Sequence, residues 1–143
     1  MGLDAVVYRN IDNLPESLRR QVKLVDASTG ELDLVDGSTL SLNDEDLFAA
    51  EVRIGNISAV QWIREQIETR WASECPVILQ SVLHNGTHSG DFIHLDHVRR
   101  IKQEIAAVDS ADVSIPRRLA TFFDEMRRLI TAAETEGNPI AFQ

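Results

Sequence analysis

Residues 47–71, LFAAEVRIGNISAVQWIREQIETRW, change their hydrophobic period halfway along, and that change decides the fold class. Leu47 to Ile54 is a short apolar run closed by Gly55-Asn56, which reads as a strand. Ile57, Val60, Ile63, Ile67 and Trp71 then recur at spacings of three and four, one apolar stripe along a helix. Asn56 stands where an N-cap belongs, since its side chain can accept from an orphan amide of the first turn. A strand running straight into an amphipathic helix requires a mixed α and β architecture.

Toward the C-terminus, Pro76 interrupts the helical pattern and Val77 to Leu83 (VILQSVL) reads as a buried strand. His84 to Asp91 (HNGTHSGD) reads as a loop, because two glycines in so short a span disfavour both helix and strand. A second helix is expected over Leu95 to Val108, with Leu95, Val98, Ile101 and Ile105 on its apolar face and Ile93 stapled onto Val98. A third starts at Ser114-Ile115-Pro116, where proline fits the first turn. Its stripe is Leu119, Phe122, Met126, Leu129 and Ala133, joined by Phe123 and Ile130, and Gly137 is a natural left-handed stop. Pro139 to Phe142 is read as a short edge-type strand.

Toward the N-terminus, Asp4 to Tyr8 (DAVVY) is an apolar, β-branched strand. Asn10 to Arg20 admits a helical turn but no definite order. Val22 to Val25 and Leu32 to Val35 form a hairpin signal around Ala27-Ser28-Thr29-Gly30, and Gly37 to Asp46 is polar and turn-rich. The expected fold is α+β: a single domain over residues 1–143, with one mainly antiparallel or mixed sheet of about five strands and three amphipathic helices packed on it.

Composition narrows the function. At 143 residues, 43% apolar and 26% charged, the chain is long enough to bury a core without staples. The single cysteine, Cys75, excludes an internal disulfide and a thiolate metal cluster, which favours a reducing, cytoplasmic setting. No apolar run is long enough to span a bilayer, and no charged-then-apolar leader opens the chain. With 23 acids against 14 bases the net charge is −9, which repels nucleic acid and anionic membrane and attracts basic partners.

All four histidines, His84, His88, His94 and His97, fall within fourteen residues, with Asp91 and Asp96 among them. Imidazole and carboxylate suit zinc-like ions, yet Gly86 and Gly90 disfavour a helix there and the glutamate of a HExxH site is missing. Ser89 sits in His88-Ser89-Gly90-Asp91, but the nucleophile-elbow pattern G-x-S-x-G is absent. Cys75 has only Glu74 and Pro76 beside it, so nothing favours its thiolate. Neither a P-loop nor a GxGxxG fingerprint occurs. The expectation is no catalytic residue, no cofactor and no metal, with a metal-dependent or hydrolytic enzyme built on the His84–Asp91 loop as the alternative. Asn85, Gly86, His88, Ser89, Gly90 and Asp91 form a candidate structural or recognition loop. A tight turn is the favoured account of its glycines.

From Leu24 to Val52 there are eight acids and no lysine or arginine. Asp33, Asp36, Asp44, Glu45, Asp46 and Glu51 are therefore candidate partner-binding residues, because such a surface accelerates capture of a basic protein. The competing account is a solvated hairpin, followed by acids at a short helical turn capped by Asn43. The arginine doublets at 99–100, 117–118 and 127–128 are too dispersed for a nucleic-acid patch.

Three segments, taken in order, resemble a family of immunity proteins from bacterial polymorphic-toxin systems. They are Glu51-Val52-Arg53-Ile54-Gly55-Asn56 leading into a helix, Pro76-Val77-Ile78-Leu79 leading into the Ser-Gly-Asp loop, and the closing Gly137-Asn138-Pro139-Ile140-Ala141-Phe142-Gln143. The opening Met1-Gly2-Leu3 is also similar. The likeness covers roughly residues 47–105 and, loosely, the last third, while residues 10–46 have no counterpart. It implies a non-enzymatic cytoplasmic protein that binds and neutralises a cognate toxin, often a nuclease, and supplies no contact residues. A phage or accessory structural protein that assembles with itself is a further alternative.

Overall fold

The computed structural model describes residues 2–38, 44–84, 90–111 and 114–143, with the side chains of Asp44 and Glu45 outside that set. Strand β1 (Gly2–Tyr8) is the centre of the fold, and its burial shows why. Leu3, Ala5 and Val7 enter one apolar core while Val6 and Tyr8 enter another. Side chains alternate across a strand, so a strand buried on both faces must be apolar nearly throughout, as DAVVY is. A 3-10 turn (Ile11–Asn13) and α1 (Glu16–Arg19) follow, then the hairpin β2 (Val22–Asp26) and β3 (Glu31–Leu34). Next come α2 (Asp44–Leu47), β4 (Phe48–Asn56) and α3 (Ile57–Trp71). A π-helical turn (Ile78–Val82), β5 (Phe92–Ile93), α4 (Leu95–Ser110), α5 (Arg117–Glu136) and β6 (Ile140–Phe142) complete the order.

The fold is a single-domain α+β with an antiparallel sheet ordered β4-β1-β6-β5, and β2-β3 forms a separate two-stranded sheet. The strands thus divide between two sheets. Helices α3, α4 and α5 cover one face of the larger sheet. Their buried stripes meet Ala50, Val52 and Ile54 of β4 and Ile140 and Phe142 of β6. Trp71 of α3 meets Phe123 of α5 edge-on at 5.9 Å. The hairpin covers the opposite face through Val22 and Leu32, which pack with Val6, Tyr8, Leu14 and Ala141.

The register between β1 and β4 shifts between Val7 and Tyr8, leaving Ala49 without an opposite residue. That bulge turns Phe48 to the hairpin side, where its ring meets Tyr8 at 5.0 Å. Asn56 caps α3 as expected, accepting from the Ala59 amide at 2.9 Å. Gly137 ends α5 with φ +68°.

Four expectations are corrected. Val77 to Leu83 is helical, not a strand: the Leu83 amide reaches the Ile78 carbonyl at 3.0 Å. The buried Cys75, Ile78 and Val82 lie at helical spacings, and a short apolar run does not reveal its period by hydrophobicity alone. The C-terminal strand β6 is not an edge, because it lies between β1 and β5 with all three residues buried. Ile57 is 68% exposed, and Ala59 takes its place on the buried stripe of α3. Ile93, read only as a staple onto Val98, forms strand β5 with Phe92.

Candidate functional site

The acidic segment folds as the hairpin, α2 and β4. In the hairpin the turn is fixed locally, since the Asp26 carboxylate accepts from the Ser28 amide at 2.8 Å. Hydrogen bonds from the Ser28 hydroxyl and amide hold the Asp26 carboxyl below its usual range. Asp26 is therefore engaged in its own turn.

Asp33 and Asp36 are exposed, Asp36 fully so. Glu51 is exposed on β4, and it alternates with Ala50 and Val52, which face the helices. Its side chain consequently lies on the hairpin side of the larger sheet. Asp46 is half-buried on α2. The fold brings Asp33, Asp36 and Glu51 to the non-helical side, whereas the side chains of Asp44 and Glu45 lie outside the described residues.

Cations just beyond the segment's ends return to this surface. Lys23 is the cross-strand partner of Asp33, and its amine lies 3.7 Å from Asp36. Arg53, also exposed, follows Glu51 on the same face of β4. The polarisation of the linear sequence is thus diluted in space. Counting charge only between Leu24 and Val52 misses both neighbours.

Among the described residues the histidines do not converge. His84 Nε2 is 3.7 Å from Asp91 Oδ2. His94 caps α4 by its backbone only, and its ring stands edge-on to Phe92 at 4.8 Å. His97 is exposed. Among the described residues no three histidines, cysteines or acids gather as metal ligands would. Asn85, Gly86, His88 and Ser89 of the candidate loop lie outside the described residues. Gly90 and Asp91 do have a defined structural task. The Gly90 amide donates to the Phe142 carbonyl at 3.2 Å and the Asp91 carbonyl accepts from the Phe142 amide at 2.9 Å, which guides the chain into β5.

Burial first, then the charges of Glu104 and Glu74, push the Cys75 thiol up to about 12, so it is protonated at neutral pH. Glu104 went unread in the sequence. It projects from α4 into the core at 7% exposure and accepts from the Val77 and Ile78 amides at 3.0 and 2.9 Å, capping the helical segment that follows Pro76. Its signal was present, since residue 104 continues the spacing Val98, Ile101 on an otherwise apolar face.

Between α5 and the rim of β4 runs an open groove lined by Ala49, Ala50, Asp124, Arg128 and Thr131. Among the described residues no helix is long and apolar enough to cross a membrane. Set against protein-family models, characterised proteins and solved structures, the chain matches none of them.

Proposed function

We propose that this chain is an immunity-type protein, a non-enzymatic cytoplasmic binder that occupies and neutralises a cognate bacterial toxin with a basic surface. One observation carries the proposal. The acidic segment presents Asp33 and Asp36, both exposed, on the side of the sheet away from the helices, as part of a chain with net charge −9. Like-signed carboxylates within about a Debye length, roughly 8 Å at physiological salt, reinforce one another in steering a basic partner. The resemblance of residues 47–105 and the C-terminal segment to immunity proteins supplies the class of partner. Charge supplies only the sign of its surface.

The mechanism is occlusion. Carboxylates on the hairpin and on α2 draw the partner in, and apolar contacts at the centre of the patch hold it. Leu24 and Val25, each 48% exposed on β2, are the apolar groups available on the hairpin for that purpose.

The test begins with capture from the native host's lysate at low salt. A stoichiometric basic partner, toxic when expressed alone and harmless when expressed with this chain, is the expected result. Substituting Asp33, Asp36, Asp44, Glu45 and Asp46 by their amides should slow association several-fold at low salt and leave it nearly unchanged at high salt. An unchanged rate at low salt refutes the placement of the surface, and a captured partner without toxicity refutes immunity.

A further inference from the structure

We propose that the chain pairs with a second copy of itself through the free edge of β4, in an antiparallel register centred on Val52. This goes beyond the toxin-binding proposal and stands without it. Strand β4 is terminal in the order β4-β1-β6-β5. The Asp4 carbonyl accepts from the Gln143 amide at 3.0 Å, so the backbone groups of Asp4 face β6. Because those groups alternate along a strand, Ala5 and Val7 face β4. Their partners there are Val52 and Ala50. It follows that the N–H and C=O groups of Glu51 and Arg53 point off the sheet. Among the described residues no backbone hydrogen bond reaches them from outside it.

Such an edge is a template for another strand unless something blunts it. Residues 50–54 contain no proline, and no charge on this stretch points toward the helices. The two register irregularities lie at either end of this stretch, next to Ala49 and Ile54. On the helix side an open groove separates Ala49 and Ala50 from α5.

The charges select the occupant. Off-sheet backbone groups must meet off-sheet groups, so a symmetric antiparallel pair is centred on residue 51, 52 or 53. Centring on Glu51 sets that carboxylate opposite its own copy, and centring on Arg53 opposes two guanidiniums. Only the register centred on Val52 places Glu51 opposite Arg53 of the second copy, twice by symmetry. The same register sets Val52 against Val52 and Ala50 against Ile54 on the helix-facing side, prolonging the apolar surface across the junction. Arg53 now lies across Gly2, where a Cβ would come within 2.9 Å of its guanidinium, and being exposed it is free to swing to the edge. Glu51 then belongs to this contact, leaving Asp33, Asp36 and Asp46 for a toxin.

The experiment is sedimentation of the full chain over a wide concentration range at physiological ionic strength. Wild type should form dimers. Glu51→Arg or Arg53→Glu alone should raise the dimer dissociation constant by roughly tenfold or more, because two attractive cross-strand pairs become repulsive. The double variant Glu51→Arg/Arg53→Glu should restore it, since the exchanged charges again face each other. Both side chains are exposed, but Arg53 stands opposite Asp4 on β1, so the thermal unfolding of each variant is measured beside its sedimentation. Concentration-dependent protection of the Glu51 and Arg53 amides from hydrogen exchange locates the contact. A wild type that stays monomeric overturns the proposal, as do single variants that dimerise like wild type. A double variant that stays monomeric overturns the register.

Discussion

Glu104 carries an acid into the core of α4's apolar face, and its two amide partners explain its presence there. The Val77 and Ile78 N–H groups have no carbonyl a turn earlier to receive them, and Glu104 accepts both. Glu104→Leu keeps the apolar stripe but orphans two buried donors, which should cost about 3 kcal/mol in urea denaturation. Desolvation raises the Glu104 carboxyl, and the hydrogen bonds from Ile78 and Val77 oppose that rise only in part. The folded state therefore holds this proton more tightly than the unfolded chain does. Its contribution favours folding below the unfolded value of about 4.3 and is lost as pH rises through the folded one. Relative to Glu104→Gln, wild type should gain stability as pH falls through that window. A stability difference that does not vary with pH would contradict this. Cys75, fully buried beside Glu104 in sequence-distant packing, should react with thiol reagents only when the chain opens. Its labelling rate should match the rate of unfolding under strong reagent excess.

At the scale of elements, the caps and close approaches are specific enough to rank. Asn56→Ala removes the acceptor for the Ala59 amide and should cost about 1 kcal/mol. Gly30 and Gly37 both have positive φ, +78° and +81°, yet they differ in surroundings. A Cβ on Gly37 meets nothing, whereas one on Gly30 falls 2.6 Å from the Asn138 amide group. Asn138 donates to the Tyr8 carbonyl at 2.8 Å, so Gly30→Ala strains its own turn and displaces a bond between the last segment and β1. Gly30→Ala should therefore be the more destabilising of the two by roughly 1 kcal/mol or more, measured side by side by chemical denaturation.

Across the whole molecule, the larger sheet separates two cores of unequal size. The helix-side core draws on β1, β4, β5, β6 and all three long helices, while among the described residues the hairpin side holds Val6, Tyr8, Leu14, Val22, Leu32 and Ala141 as buried members. The hairpin packs on the rest through that smaller core. Its amides, including Leu24 and Leu32, should exchange with a lower opening free energy than those of Val6 and Ala141 in the larger sheet. Equal protection would mean that the two layers open as one unit. If the hairpin forms the toxin surface, binding should raise its protection selectively.

Local chemistry settled much of this in advance. The strand at residues 4–8, the β2–β3 hairpin, the Asn56 cap and the Gly137 stop follow from side-chain periodicity, short-range hydrogen bonds and backbone sterics, all of which act within a few residues. The three long helices follow from their stripes. Tertiary structure decided the apolar runs whose period the sequence left ambiguous. VILQSVL became helical because Glu104, some 26 residues away, caps its amides, and PIAF became an inner strand because β5 supplies a second neighbour. The acidic surface divides the same way. Its sign is a sum over composition, legible in the sequence, but Lys23 beside Asp36 and Arg53 beyond Glu51 are brought to it only by strand pairing, since Coulomb forces depend on distance in space and not along the chain.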